Sequence, residues 1–439
     1  MSKVVKFGGS SLASAEQFKK VGDIIRADKE RKYVVPSAPG KRFSEDTKVT
    51  DMLYGCYALA EEGKDFKKEL KAIKARYEEI INGLSLTISL DEEFKVIEKN
   101  FKAKAGSDYA ASRGEYLNGI IMANYLGFTF VDSATVIFFD KNGDLDAEKT
   151  NTVLSAKIAE CENLVVPGFY GALADGTVKT FSRGGSDITG SIVARAAKVD
   201  VYENWTDVSG FLIADPRIIN QPEGIDVITY RELRELSYMG ATVLHEDAIF
   251  PVRQMGIPIN IRNTNAPEDN GTWIVGSTCQ KSKYTITGIA GKKGFCSVNI
   301  EKDMMNSEIG FGRRVLQAFE ENGISFEHVP SGIDTMTVFV HQDEFMHKEQ
   351  KVVSAINRLV QPDTIDIEAD LALIAVVGRG MKATRGTAGR VFSALAHANV
   401  NVKMIDQGSS ELNIIIGVDN ADFEKAIQAI YDIFVKTQL

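Results

Sequence analysis

Apolar residues at the start of the chain alternate between strand-like and helix-like spacing. The run Lys3–Phe7 predicts a strand, and a glycine-serine turn follows it. Apolar residues between Phe18 and Ile25 then recur at helical spacing, behind Ser14 as a candidate N-cap. A second apolar run, Tyr33–Val35, ends at a proline. Strand, helix and strand at this spacing predict a βαβ unit and a parallel sheet.

Helical spacing dominates the next stretch, from Glu61 to Leu84, and continues through Phe101. We interpret this stretch as helices packed on the sheet, since amphipathic packing explains it without a binding partner. Strand-like segments then return at Phe128–Val131, Thr135–Phe139, Leu164–Val166, Ile257–Arg262 and Thr272–Val275. The pattern therefore predicts one α/β domain over residues 1–282.

The remainder of the chain repeats one order of elements twice. Strands at Phe295–Ile300 and Ala372–Val377 each precede a helix, two further strands and a closing helix. We interpret the repeat as two βαββα domains, over residues 283–365 and 366–439. Domains this small with an open sheet edge tend to pair, so we expect the copies to pack together or across a dimer.

Composition and charge argue against several classes of protein. The 439 residues carry 51 Lys and Arg against 60 Asp and Glu, a net charge of −9 that argues against nucleic-acid binding. No apolar run has the roughly 18 residues that a membrane span needs, and the first residues lack the features of a signal peptide. We therefore expect a cytoplasmic protein without membrane association. The cysteines lie far apart, without the spacing of a disulfide framework or zinc site.

Two glycine turns are the strongest chemical signals. Neither a Walker A sequence nor a GxGxxG turn is present, but Lys6 precedes Gly8-Gly9 and Arg183 precedes Gly184-Gly185. Glycines allow a ligand close to the backbone, and free N–H groups at a helix start attract phosphate oxygens. Two such turns, each with a cation, favour an anion-binding site.

A third loop, Thr206–Arg217, follows an apolar segment and is rich in turn residues. It is either a crossover in which aspartates cap the backbone, or a nucleotide loop with Asp207 at a ribose or metal and Arg217 at a phosphate. The spacing leaves both interpretations open.

Several motifs together carry a family resemblance across nearly the whole chain. They are KFGGSS from Lys6, Arg113-Gly114-Glu115, Pro167-Gly168-Phe169, RGGSD at 183–187, the TDVSG and ADPR segments of residues 206–217, and Val243-Leu244-His245. With them the chain resembles the monofunctional aspartate kinases of the amino-acid kinase superfamily, which carry paired C-terminal ACT domains. The resemblance implies an α/β sandwich with a mostly parallel central sheet, followed by two ferredoxin-like ACT domains.

The resemblance also implies a reaction. Aspartate kinases phosphorylate the β-carboxylate of L-aspartate with ATP and Mg²⁺, giving 4-phospho-L-aspartate on the way to lysine, threonine and methionine. The nucleophile is already ionised, so no general base is required, and catalysis rests on alignment and charge neutralisation. No metal-binding protein residue is expected, because Mg²⁺ bridges the phosphates.

The motif positions imply the following roles. Lys6 and Asp187 are catalytic, with Lys6 at the transferring phosphoryl group. The expected substrate-binding residues are Thr50, Glu115, Arg183 and Ser186. The expected ATP-binding residues are Lys6, Gly8, Gly9, Ser10, Thr206, Asp207, Leu212, Arg217, Thr242 and Val243. Two other interpretations remain open: Thr50 caps the next helix, and Glu115 interacts with a helix dipole as an acid in the first turn.

Some positions depart from the family pattern. Thr242 stands where relatives often carry a lysine, and Leu212 replaces a common aromatic residue. Glu246 and Ser182 occupy positions where proline and glycine are frequent. The adenine-side contacts and the nucleotide preference are therefore left open.

The first repeat copy contains the expected effector site, formed by Met305, Asn306, Ser307, Ser325 and Glu327. Glu327 suits the ammonium of lysine, whereas threonine offers only a hydroxyl, so lysine is the expected inhibitor. The alternative is that Glu327 faces solvent. We expect a homodimer or a dimer of dimers through the ACT domains. The alternative functions are a catalytically silent amino-acid sensor and a kinase for another amino acid.

Overall fold

The protein is described by a computed structural model that covers residues 1–182, 184–241, 244, 248–278 and 282–437. The chain divides into two compact units. The first comprises Met1–Phe211, Gly224–Tyr230 and Thr242–Thr278, and the second comprises Leu212–Glu223, Arg231–Ala241 and Cys279–Leu439. Within the described residues, the search for a helix long and apolar enough to cross a membrane finds none.

Strands and helices are numbered along the chain. The strands are β1 Lys3–Phe7, β2 Arg31–Pro36, β3 Thr129–Phe130, β4 Leu164–Val165, β5 Tyr170–Ala172, β6 Val178–Thr180, β7 Val201–Thr206, β8 Val227–Thr229, β9 Ile259–Asn263, β10 Thr272–Val275, β11 Gly288–Glu301, β12 Phe326–His328, β13 Thr335–His341, β14 Thr364–Val377, β15 Met404–Asp406 and β16 Asn413–Asp419. The helices are α1 Ala15–Arg26, α2 Val49–Glu61, α3 Lys67–Gly83, α4 Asp91–Lys102, α5 Ser107–Leu126, α6 Ala147–Ala159, α7 Gly185–Ala197, α8 Tyr230–Tyr238, α9 Phe250–Met255, α10 Phe311–Glu320, α11 Gln342–Met346, α12 Glu349–Val360, α13 Thr387–His397 and α14 Phe423–Tyr431.

The first unit is built on a mostly parallel sheet, as the sequence predicts. Its eight strands lie in the order β3-β4-β2-β1-β7-β9-β10-β8, and of the adjacent pairs only β9 and β10 run antiparallel. A short hairpin of β5 and β6 lies apart from it.

Both faces of this sheet are covered, which explains why its central strands are apolar on both sides. Val5 and Phe7 of β1 pack into a core with helices α1 to α5 and with Trp205 of β7. The alternate side chain, that of Lys6, points to the opposite face, where it contacts α7. A three-layer α/β sandwich results, and the strand period places Lys6 beneath α7.

One predicted strand of this unit is wrong. Thr135–Phe139 has strand-like composition, but Ser133–Thr135 forms a short 3-10 helix and Phe138 and Phe139 make only isolated bridges. A buried Phe139 packs its ring against that of Phe181 at 4.8 Å. The apolar residues here fill a core without joining a sheet, which periodicity alone does not reveal.

The second unit is built on an antiparallel sheet in the order β12-β13-β11-β14-β16-β15. β11 and β14 are each 14 residues long and pair with one another along their whole lengths. The register shifts on both sides of Phe295, next to Gly294 with a φ of 91°, so the pair bends there.

The two repeat copies share these long strands. The second half of β11 and the first half of β14 pair within the copy that contains β12 and β13, and the other halves pair within the copy that contains β15 and β16. Each copy therefore completes its four-stranded sheet with part of both strands, and the two copies of one chain form one continuous sheet.

A buried ion pair in the second unit is expected to stabilise its fold. The Glu232 side chain on α8 is fully buried and lies 3.0 Å from Nη1 of Arg379. It also accepts hydrogen bonds from the Arg379 N–H at 2.8 Å and from the Thr287 hydroxyl at 2.6 Å. Arg379→Ala removes this cation from a buried carboxylate, so we expect the free energy of unfolding to fall by about 3 to 5 kcal/mol.

Urea unfolding of the full chain measures that loss. Arg358→Ala is the matched control, because Arg358 pairs with Glu321 at 2.8 Å while its side chain is 61% exposed. The control is expected to leave the urea midpoint almost unchanged. Equal midpoints for the two variants would show that the buried pair does not stabilise the unit.

Candidate active site

The first glycine turn is formed by close approach of two backbones. Gly40 donates its N–H to the Gly9 carbonyl at 2.8 Å. A Cβ on Gly9 would lie 2.9 Å from the Ala38 carbonyl oxygen, so this position has no room for a side chain. The Gly8 N–H donates to the Trp205 carbonyl at 3.0 Å and is therefore occupied. Of the three predicted phosphate donors, Gly9 and Ser10 keep N–H groups without a backbone acceptor among the described residues.

Lys6 brings a buried cation to this turn. Its side chain is 9% exposed, and Nζ lies 2.5 Å from Oδ1 of Asp187 in the first turn of α7. Nζ would also lie 3.9 Å from a Cβ added at Gly8. The positive charge of Lys6 therefore lies beside the glycine turn and is paired with a carboxylate of α7.

The second glycine turn opens α7. Gly184 is the N-cap residue in the left-handed conformation, with a φ of 58° and no side-chain cap, so the first N–H groups of the helix remain available. Ser186 packs against the backbone of Gly168, where a Cβ would lie 2.5 Å from the Ser186 Oγ. Arg183, the predicted carboxylate-binding residue, lies outside the described residues.

Glu115 is a buried carboxyl group that lacks one partner. It lies on α5 and is 5% exposed, and its Oε2 has no hydrogen-bond partner among the described residues. Burial raises the pKa of Glu115 to about 8, although the Ala38 N–H and the charge of Arg113 favour the ionised form. A buried polar atom without a partner is costly and calls for an explanation such as a bound ligand.

Thr50 lies close to Glu115 through the neighbouring glycine. A Cβ on Gly114 would lie 2.8 Å from the Ala38 Cβ and 3.7 Å from the Thr50 Oγ1. The N-cap of α2 is Lys48, so Thr50 is not a capping residue. Because Ala38 also contacts Gly9, the loop after β2 joins the Glu115 region to the glycine turn.

The predicted nucleotide residues are only partly brought together. Thr206 ends β7 and Asp207 follows it in the first unit, and the Thr206 hydroxyl donates to Asp207 at 3.2 Å. Leu212 and Arg217 belong to the second unit. The Arg217 side chain is 85% exposed and pairs with Asp215 at 2.5 Å. Thr242 and Val243, and also His245, lie outside the described residues.

The predicted effector residues lie in the second unit. Asn306 and Ser307 are exposed in a short 3-10 helix with a buried Met305, and Ser325 is exposed before β12. The Glu327 side chain does not face solvent, since it is only 6% exposed and lies 3.2 Å from Nε2 of His341.

Two residues of the site escaped the sequence analysis. Ala38 joins Glu115 to the glycine turn, and Asn204 of β7 donates from Nδ2 to Asp187 at 2.8 Å. The signal for Asn204 was present: Glu203-Asn204 places two polar residues inside an otherwise apolar run. Buried polar residues in a central strand need specific partners.

Comparison with known proteins gives family matches to both halves. Residues 1–263 match the amino acid kinase family, and residues 374–434 match the ACT domain family. Aspartokinase 3 of Bacillus subtilis is 42% identical over 98% of this chain and 98% of its own.

Two solved structures are also similar. The aspartate kinase of Clostridium acetobutylicum has 52% identity and a TM-score of 0.89 over 98% of this chain and 99% of that one. Aspartokinase III of Escherichia coli, solved with aspartate and ADP, has a TM-score of 0.74 over 99% of both chains, but at 23% identity it shows the fold alone.

Proposed function

Because the chain belongs to the aspartokinases of the amino acid kinase family, phosphotransferases with a carboxyl group as acceptor, we propose that it transfers the γ-phosphoryl group of ATP to the β-carboxylate of L-aspartate. The observation that carries the proposal is the position of Lys6 and its partner Asp187 beside a glycine turn whose Gly9 and Ser10 N–H groups have no backbone acceptor within the described part of the chain. A buried carboxyl group with an unpartnered oxygen, that of Glu115, lies in the same unit.

The reaction balances without a proton transfer. An oxygen of the β-carboxylate forms a bond to the γ-phosphorus while the bond between that phosphorus and the β,γ-bridging oxygen breaks, and ADP leaves with the electron pair. The Lys6 ammonium and the N–H groups of Gly9 and Ser10 stabilise the negative charge on the phosphoryl oxygens. Asp187 holds Lys6 in place through the 2.5 Å ion pair.

Aspartate is held by its charged groups. Glu115 accepts the α-ammonium group, which explains its unpartnered Oε2, and Thr50 and Ser186 contact the rest of the substrate. Arg183 binds the α-carboxylate, for which its planar fork of donors is suited. Glutamate places its carboxylate one methylene further from the α-carbon and misaligns the attack.

The nucleotide lies along the end of β7. Thr206 and Asp207 of the first unit contact the nucleotide. Leu212, Arg217, Thr242 and Val243 remain ATP-binding residues that the family resemblance implies. Mg²⁺ bound with ATP would be held mainly by phosphate oxygens and water, which it prefers, and would neutralise part of the charge on the phosphates. ATP and aspartate are cytoplasmic metabolites, so we place the enzyme in the cytoplasm, at the first step towards lysine, threonine and methionine.

Regulation is assigned to the second unit. Lysine binds the first repeat copy at Met305, Asn306, Ser307, Ser325 and Glu327, with Glu327 on its side-chain ammonium. Large apolar side chains of this copy are exposed, among them Ile309 and Ile333. Such side chains support a dimer or a dimer of dimers through these domains, which sedimentation measures directly.

Replacing Glu327 tests the effector site. Glu327→Ala is expected to raise the lysine concentration for half-inhibition by at least about tenfold, because a charge-assisted bond is lost. Turnover without lysine is expected to stay near that of the unmodified enzyme. Glu321→Ala, an exposed acid of the same copy paired with Arg358, is the control. Equal loss of inhibition and of turnover in Glu327→Ala would reject the assigned role.

Acyl phosphate formation tests the function itself. Purified protein is mixed with ATP, Mg²⁺ and L-aspartate, and the product is trapped with hydroxylamine, with and without lysine. The proposal predicts an aspartate-dependent hydroxamate that lysine suppresses, and none with glutamate. A hydroxamate that lysine does not affect would keep the kinase and overturn lysine as the effector. Lysine binding without any hydroxamate would favour an amino-acid sensor.

A further inference from the structure

The proposed catalytic ion pair of Lys6 and Asp187 contacts a third residue, which lies in the strand next to that of Lys6. β1 and β7 are parallel neighbours, and their register places Lys6 directly opposite Asn204. Side chains at opposed positions of a parallel pair point to the same face. Both therefore point to the layer that contains α7 and its first-turn residue Asp187.

Lys6 and Asn204 converge on one atom of that residue. Nζ of Lys6 lies 2.5 Å from Oδ1 of Asp187, and Nδ2 of Asn204 donates to the same Oδ1 at 2.8 Å. Asn204 is 3% exposed, so its amide is withdrawn from water. A buried amide is costly unless it is hydrogen-bonded. The shorter of the two bonds from Nδ2 goes to the carboxylate that holds Lys6, and the longer goes to the Tyr202 hydroxyl at 3.4 Å.

A second residue of β7, Tyr202, anchors the backbone of α7 to the sheet. Tyr202 of β7 donates its hydroxyl to the backbone carbonyl of Asp187 at 3.2 Å, and its ring fills the space beside Gly190, where a Cβ would lie 2.4 Å from the hydroxyl oxygen. Helix docking thus has its own contacts. The bond from Asn204 goes to the side chain of Asp187 and restricts how that carboxylate turns.

We propose that Asn204 is a positioning residue that fixes the Asp187 carboxylate so that it holds Lys6 against the transferring phosphoryl group. A lysine side chain is long and flexible, and a carboxylate with a single mobile partner can turn with it. A second donor on a rigid strand removes that freedom before substrate binds. The inference rests on the proposed roles of Lys6 and Asp187.

Its test compares two buried asparagines of the same sheet. Asn204→Leu removes the donor and keeps the branching and heavy-atom count of the side chain. Asn260→Leu is the matched control, because Asn260 of β9 is also 3% exposed and donates to the Asn270 and Thr272 carbonyls at 3.1 and 3.3 Å. Circular dichroism and the thermal midpoint of each variant confirm that it is folded.

The expected result is a split between turnover and binding. Asn204→Leu is expected to lower kcat by about tenfold or more, with the KM for aspartate and ATP changed by less than about twofold. Asn204→Thr, which keeps a hydroxyl donor, is expected to recover part of the loss. Asn260→Leu is expected to match the unmodified enzyme in kcat once folded protein is counted.

A double-substitution cycle separates positioning from general support of the fold. In an Asp187→Asn background, Asn204→Leu is expected to change the residual kcat by less than about twofold, because the carboxylate that it positions is gone. The same fold-loss in both backgrounds, or a loss no larger than that of Asn260→Leu, would overturn the inference. If Lys6→Met and Asp187→Asn themselves kept full turnover, the proposed function of the pair would fail instead.

Discussion

Lys6→Met is expected to lower kcat for aspartyl phosphate formation by about a thousandfold, since it removes a buried charge from the transferring phosphoryl group. Methionine keeps much of the length of the side chain, so the core between β1 and α7 remains filled. The KM for aspartate is expected to change little, because Lys6 is assigned to the phosphoryl group and not to the acceptor. Steady-state kinetics by hydroxamate trapping measure both constants.

A second lysine of the same strand gives the control. Lys3 pairs with Asp28 at 2.8 Å and with Glu203 at 3.1 Å. It lies three residues before Lys6, so its side chain points to the opposite face of the sheet. Glu203 keeps Arg31 as a partner at 2.8 Å when Lys3 is replaced, so Lys3→Met is expected to retain turnover. Similar kcat values for Lys6→Met and Lys3→Met would contradict the assigned role of Lys6.

Glu115→Gln is expected to lower kcat/KM for aspartate by about 30- to 100-fold, because the charged acceptor of the α-ammonium is replaced by a neutral amide oxygen. Since the pKa of Glu115 is raised to about 8, an ammonium that needs the ionised carboxylate displaces its proton. Aspartate binding at pH 7 is therefore expected to release a proton, and the variant to release none. Calorimetry in two buffers of different ionisation enthalpy measures this release.

The same substitution is expected to stabilise the free protein. Burial places the folded-state pKa of Glu115 at about 8, above the ordinary value of 4.5 that applies when the chain is unfolded. The unfolded state then loses its proton first, so the group lowers stability progressively as pH rises from about 4.5 towards 8. Glu115→Gln is expected to raise the free energy of unfolding by about 4 kcal/mol at pH 8 and to change it little at pH 4.5.

Urea unfolding at the two pH values checks the sign. Asp51→Asn, which changes an exposed acid in the first turn of α2, is the control and is expected to show neither effect. A Glu115→Gln variant that loses stability at pH 8 would contradict the account of a strained, substrate-ready carboxyl group.

Much of the fold follows from local patterns. The strand–turn–helix start is confirmed: β1 spans Lys3–Phe7, and Ser14 accepts a hydrogen bond from the Gln17 N–H at 3.4 Å as the N-cap of α1. Phe18 and Ile25 of that helix are buried, as their spacing predicts. These features depend on short-range periodicity and capping, which a sequence displays directly.

The shared strands of the second unit could not be predicted in this way. The sequence shows β11 only from Phe295 and β14 only from Ala372, because their other halves contain Gly291-Lys292-Lys293-Gly294 and the exposed Glu368-Ala369-Asp370. Polar residues fit a strand whose face is open to solvent, but they also fit a loop. Whether these residues form a strand or a loop depends on pairing with a distant strand, which the local sequence does not show.

The candidate active site, too, could be predicted from the sequence only in part. Lys6 and Asp187 are visible as motif residues, but their ion pair requires the register of β1 and the position of α7. The pKa of Glu115 depends on burial, which a helix such as α5, buried on nearly all sides, does not reveal through periodicity. Motifs thus identify the reactive groups, whereas packing determines their contacts and ionisation.

The most direct test of the account follows an oxygen atom from substrate to product. L-Aspartate labelled with ¹⁸O in its β-carboxylate is incubated with ATP, Mg²⁺ and the unmodified protein, and the phosphorus NMR spectrum is recorded. The account predicts an acyl phosphate resonance displaced by the isotope in the bridging position, and no such resonance with Lys6→Met at the same enzyme concentration. An undisplaced resonance, or ADP release without any acyl phosphate, would contradict carboxylate attack on the γ-phosphorus.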